Sequence, residues 1–88
     1  MRFMVTYTIK PEARAAAVEK FVETGGPPPE GVTMLGRWHY AGLLRGYTLC
    51  ESDSVVQMAK WTREWADHIT QEVVPVLTDE EIGQVLAG

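Results

Sequence analysis

With 88 residues the chain is the size of one small domain, residues 1–88, and a domain of that size buries roughly 60–70% of its unfolded surface. Apolar residues make up 45% and charged residues 23%, a globular composition that excludes a disordered chain. The formal charge is −4 and the basic residues are scattered, so the concentrated positive patch that a phosphate backbone demands is missing and no nucleic-acid partner is expected.

The single cysteine, Cys50, cannot form an intramolecular disulfide, and a strand-like run directly after Met1 leaves no room for a leader segment; a cytoplasmic location is expected. No apolar run approaches the ~20 residues that cross a bilayer, so no membrane partner is expected either. Arg2 to Ile9 reads as a strand, with Phe3, Val5, Tyr7 and Ile9 on one face and Met4, Thr6 and Thr8 on the other. Neither face carries a charge after Arg2, which is the pattern of a strand covered on both sides.

Pro11 suits the first helical position, Glu12 favours the positive end of the helix dipole, and Ala13, Ala17, Val18, Phe21 and Val22 form an apolar stripe at helical spacing. The helix is expected to end near Thr24, because Gly25-Gly26-Pro27-Pro28-Pro29-Glu30-Gly31 removes backbone donors and favours turns. Val32 to His39 and Arg45 to Glu51 read as the next two strands. The bend between them, Tyr40 to Leu44, fits either a two-residue turn at Ala41-Gly42 or a wider loop. Arg37 and His39 share a face of their strand, as do Tyr47, Leu49 and Glu51 of theirs; which sets face each other depends on the bend.

Ser54-Val55-Val56-Gln57 fits a capping box that opens a helix running to about Ile69, with Trp61 and Trp65 one turn apart and Met58 and Ile69 extending their surface. Glu72 to Leu77 reads as a fourth strand, placed at an edge by Pro75, which cannot donate to a neighbour. Thr78-Asp79-Glu80-Glu81 caps a short last helix through Leu86. The order β-α-β-β-α-β predicts an α+β, ferredoxin-like fold with an antiparallel four-stranded sheet in spatial order 4-1-3-2. Two helices cover one side of such a sheet, so the other side is expected to meet a second copy in a homodimer.

In this order of elements the residues resemble a small bacterial family, number 3303 among the domains of unknown function, within the dimeric α/β-barrel superfamily. The resemblance spans nearly the whole chain: Met4-Val5-Thr6-Tyr7, Glu23-Thr24 leading into the Gly-Gly-Pro-Pro-Pro-Glu-Gly run, Leu35-Gly36-Arg37-Trp38-His39, Glu51-Ser52-Asp53, the Trp61/Trp65 pair and Pro75-Val76-Leu77. It implies a homodimer and, in many members of the superfamily, a pocket between sheet and helices. The superfamily includes cofactor-independent monooxygenases of aromatic polyketides, muconolactone isomerase, haem-degrading enzymes and proteins that only bind ligands or regulate, so no single reaction is implied.

The candidate catalytic residues are His39, Glu51 and Arg37. An imidazole with an unperturbed pKa near 6.5 and a strand carboxylate suit proton transfer, and Arg37 suits an anionic oxygen of a ligand, provided that all three face one cavity. The competing assignments are a hydrogen-bonded histidine at a hairpin end and, for Glu51, a salt bridge to Arg37 or Arg45 or a hydrogen bond to the free N–H groups of the following helix. His68, three residues past Trp65, is a second histidine for the same region, but two isolated histidines do not make a metal site, so no metal and no cofactor are expected. Haem held by His39 or His68 is the one exception. Trp38, Tyr47, Trp61, Trp65 and Tyr7 are the candidate ligand-binding residues, with core and interface packing as the alternative for every one of them. Cys50, on the parity opposite Glu51, reads as a small buried apolar residue.

Together these residues favour a homodimeric domain that binds a small aromatic or apolar ligand between sheet and helices, with cofactor-free isomerisation or monooxygenation as the chemistry they best suit. The alternative is a non-catalytic dimerisation or regulatory module whose aromatics are core and interface packing. A cavity of a few hundred Å³ reaching His39 or Glu51 separates the two.

Overall fold

The computed structural model describes residues 1–88. Period-two alternation makes β1 (Arg2–Ile9) a strand whose inward residues, Phe3 and Val5, are buried. A 3-10 turn at Pro11–Ala13 leads into α1 (Arg14–Thr24), followed by β2 (Val32–His39), β3 (Arg45–Ser52), α2 (Val55–Trp65), β4 (Ile69–Val76) and α3 (Asp79–Ala87). The strands form one antiparallel sheet in the order β2-β3-β1-β4, which is the expected ferredoxin-like arrangement with Pro75 on an edge strand.

The hydrophobic core lies on one side of the sheet, where Phe3, Val5, Val32 and Cys50 meet Met58, Trp61 and Trp65 of α2, with Met34, Ile69 and Val73 packed around them. Cys50 is wholly buried, and burial pushes its thiol above the ordinary value. Ser54 caps α2 by accepting from the Gln57 backbone N–H at 3.2 Å.

That helix ends at Trp65, four residues before the expected Ile69, and β4 begins at Ile69 where Glu72 was expected. Two effects set the change. Ile69 to Val76 pairs along the full length of β1, satisfying a ladder that a longer helix would forfeit. In addition, two lysines from elsewhere in the chain close the helix end: Lys20 Nζ donates to the Glu64 carbonyl at 2.6 Å and Lys10 Nζ to that of Ala66 at 3.1 Å, placing cations at the negative end of the dipole.

The first helix packs more loosely than its stripe suggests. Only Ala17 is buried within α1, and Val22 points to solvent. The chain leaves α1 through Gly25 and Gly26, both at positive φ, and Arg37 ties this exit to the sheet by donating to the Gly26 carbonyl at 2.6 Å and the Gly25 carbonyl at 2.9 Å. The other end of the proline-rich connector is fixed by Ser52 Oγ donating to the Gly31 carbonyl and Gln57 Nε2 donating to that of Glu30.

The β2–β3 bend is the wider of the two alternatives. Tyr40 N–H donates to the Arg45 carbonyl, Leu43 N–H donates to that of Tyr40, and Leu43 takes the left-handed conformation. At the far end, Thr78 and Glu81 form a reciprocal capping box for α3. None of the residues of α3 is buried, and Ile82, Val85 and Leu86 are exposed along it. No helix is long and apolar enough to cross a membrane.

Candidate functional site

Between α1, α2 and the sheet lies a cavity of about 280 Å³. It exists because α1 offers only Ala17, Val18 and Phe21 toward the strands and buries only Ala17, which leaves space between this helix and the two tryptophans of α2. Its apolar wall is Val5, Ile9, Trp61, Trp65 and Ile69, and Leu43 stands at the rim.

Three of the polar groups, Gln71, Tyr7 and His39, come from a single transverse row of the sheet. Gln71 pairs with Tyr7, Tyr7 with Gly46, and Gly46 with His39, so four strands in succession contribute one residue each to the same level. The next level inward pairs apolar Val73 and Val5 with Thr48 and Arg37, and the one beyond it, Pro75, Phe3, Cys50 and Met34, is core.

Gly46 makes the row possible. A Cβ at Gly46 would lie 2.6 Å from the Tyr7 hydroxyl oxygen and closer still to its ring, so the phenol crosses β3 only because that position is bare. The Tyr7 hydroxyl thereby reaches His39 Nδ1 and hydrogen-bonds to it. Phe21 approaches the imidazole edge-on at 5.4 Å, and the Arg37 guanidinium lies 5.0 Å from the centre of the Phe21 ring.

These contacts define the electrostatics. Burial raises the Tyr7 phenol above its usual value, and the nearby Arg37 charge offsets part of that rise. Burial lowers His39 below the ordinary imidazole value, and Arg37 lowers it further. At neutral pH the pair is therefore an uncharged phenol beside an uncharged imidazole; with Tyr7 donating to Nδ1, the ring hydrogen sits on Nε2.

A β-bulge decides which residues of β2 see the cavity. The register slips between Met34 and Gly36, with Leu35 as the extra residue, so Met34 faces Cys50 inward and Arg37 and His39 also turn inward. His39, Arg37, Tyr7, Trp61 and Trp65 all line the cavity.

Trp38, Tyr47 and Glu51 do not. Neighbours on a strand point to opposite faces, so Trp38 cannot share the cavity with Arg37 and His39. It stacks instead on Tyr47 across the open side of the sheet, ring centres 5.5 Å apart, and remains 52% exposed. Glu51 lies on that same side, where Arg2 rather than Arg37 or Arg45 is its partner, at 3.9 Å across the β1–β3 pair. The three-residue arrangement of His39, Glu51 and Arg37 around one cavity is thus absent within the chain. His68 falls in the turn after α2, outside the cavity lining.

Gln71, Phe21, Thr48 and Leu43 join the site without having been expected there. Gln71 carried a signal, since it is the one polar residue in the inward series Ile69, Gln71, Val73, Pro75; starting the strand at Glu72 hid it. Its Oε1 is buried without a hydrogen-bond partner.

One family model, described as "Domain of unknown function (DUF3303)", matches residues 1–88. No curated protein matches the chain.

Proposed function

The chain belongs to the DUF3303 family, whose description names no reaction, and we propose from the cavity that it is a small-molecule-binding domain for a ligand with an apolar body. The observation that carries this is a cavity of about 280 Å³ walled by Trp61, Trp65 and aliphatic side chains, with its few polar groups, Tyr7, His39, Gln71, Arg37 and Thr48, on two adjacent levels of the sheet. A pure packing module would be filled at that place.

Binding fits the groups better than turnover does. Tyr7 and His39 satisfy each other and are uncharged, and no carboxylate stands on the cavity side to make His39 a stronger base. An isomerase-like or monooxygenase-like step would have to run through that pair alone.

The same reading includes a homodimer formed through the open face of the sheet. Leu35, Trp38, Tyr47 and Val74 are exposed there, in support of a partner that covers them. A cytoplasmic location accords with a single free thiol buried in the core.

Ligand binding is tested by following the three tryptophan indole N–H signals of the 15N-labelled protein during titration with naphthalene. Trp61 and Trp65 shift on saturation while Trp38, on the other side of the sheet, stays in place. Three unmoved signals, or movement of Trp38 alone, would refute the cavity as a binding site. Light scattering tests the dimer: Trp38→Glu yields monomers, and an unaltered protein that is already monomeric at tens of micromolar refutes it.

A further inference from the structure

Resting on the cavity as a binding site, we infer that Gln71 is its specificity-determining residue and that the ligand presents a neutral hydroxyl, an alcohol or phenol, to Gln71 Oε1. A buried carbonyl oxygen with no partner costs free energy in the empty protein, and that cost is recovered only when something donates to it. No donor of the chain bonds to it. The Tyr7 hydroxyl, on the paired residue of β1, is committed to His39. Arg37 is on β2, at the opposite edge of the sheet, three strand spacings or ~14 Å away, and is engaged with Gly25 and Gly26.

The same layout argues against a carboxylate. An anion placed at the Gln71 end would have no cation in reach, and one placed at Arg37 would leave Oε1 unpaired. A hydrocarbon without a polar group would also leave it unpaired. A hydroxyl on an apolar body is the chemistry that fills the cavity and satisfies the row at once, and a site with an unpaired buried acceptor discriminates strongly against analogues that lack the donor.

The test compares 2-naphthol, naphthalene and 2-naphthoate on the full-length protein, read by the Trp61 and Trp65 indole signals. In the unaltered protein 2-naphthol binds on the order of ten-fold more tightly than naphthalene, the worth of one hydrogen bond to an otherwise unpaired buried acceptor. Naphthoate binds no better than naphthalene. Gln71→Met brings the ratio of naphthol to naphthalene affinity to about one and raises the melting temperature of the unliganded protein because the unpaired oxygen is gone. Equal affinity for naphthol and naphthalene overturns the inference while leaving the cavity reading in place, as does tightest binding of naphthoate. A preference for naphthol that survives in Gln71→Met, or a lower melting temperature in that variant, overturns the role of Gln71. No response to any of the three overturns the binding site and this inference with it.

Discussion

Gly46→Ala is the sharpest probe of how this site is built, because one methyl group strikes two different things. Its Cβ would stand 2.6 Å from the Tyr7 hydroxyl oxygen and 2.5 Å from the Trp38 carbonyl oxygen. The phenol can rotate away; the carbonyl belongs to the β2–β3 ladder and can move only with the strand. Overpacking of this kind costs about 1–3 kcal/mol, and loss of the Tyr7–His39 hydrogen bond adds about 1 kcal/mol. Replacing glycine in a strand returns about 0.4–1 kcal/mol through the unfolded state, since Gly46 does not use a positive φ. The net loss is about 2 kcal/mol, or roughly 10 °C in melting temperature for a chain of this size. Urea unfolding of Gly46→Ala, Tyr7→Ala and the double variant separates the two clashes. With Tyr7 truncated, Gly46→Ala costs at least about 1 kcal/mol less, and Gly42→Ala, which meets nothing within 4 Å, stays within about 0.5 kcal/mol of the unaltered protein. Additive losses in the double variant would show that Tyr7 does not cross β3 at Gly46.

Stability should depend on pH through the same pair. His39 titrates lower in the folded chain than in the unfolded one, so as pH falls below about 6.5 the unfolded state takes up protons first and stability declines until the folded value is passed. Tyr7 titrates higher when folded, so stability also declines as pH rises above about 10. Melting curves across pH register both slopes, His39→Gln removing the acid one and Tyr7→Phe the alkaline one. Arg37→Gln raises the His39 pKa in an NMR titration but does not restore the ordinary value, because burial is the larger cause; a full return would assign the whole effect to the Arg37 charge. Trp65→Ala costs about 3–5 kcal/mol and abolishes naphthalene binding, since the ring is buried and also walls the cavity; a loss under about 1 kcal/mol in urea unfolding would mean that the ring is not part of the core.

The topology was legible because its signals are local and repeated. Alternation marks β1, Pro11 and Ser54 mark helix starts, the glycine and proline run marks a connector, and Pro75 marks an edge. Half of the candidate site was legible for the same reason: Tyr7 follows from parity in β1, and Trp61 and Trp65 follow from helical spacing. What could not be read were properties that no single segment holds. The face on which Glu51 lies relative to His39 depends on the register between two strands, and the register depends on the four residues inside the Tyr40–Arg45 bond and on the extra residue at Leu35. The end of α2 depends on Lys10 and Lys20, which lie more than 40 residues away along the chain. Gln71 lies ahead of Glu72, in the part of β4 that pairing with β1 makes a strand and no local pattern marks.

Leu35 shows how much of the cavity's lining rests on one bulged residue. Were Leu35 paired in regular alternation instead of bulged out, the alternation that turns Val32 and Met34 inward would continue through Gly36 and Trp38, and Arg37 and His39 would face the open side of the sheet. The bulge lets one strand serve two purposes in sequence: its first half supplies core under α2, and its second half supplies Arg37 and His39 to the cavity while sending Trp38 outward. Arg37 then holds the end of α1 at Gly25 and Gly26 and lies against Phe21, fixing a helix that has only Ala17 buried. A roof anchored at its end in this way need not be packed along its length, which is why the space beneath it can stay open in a chain of 88 residues.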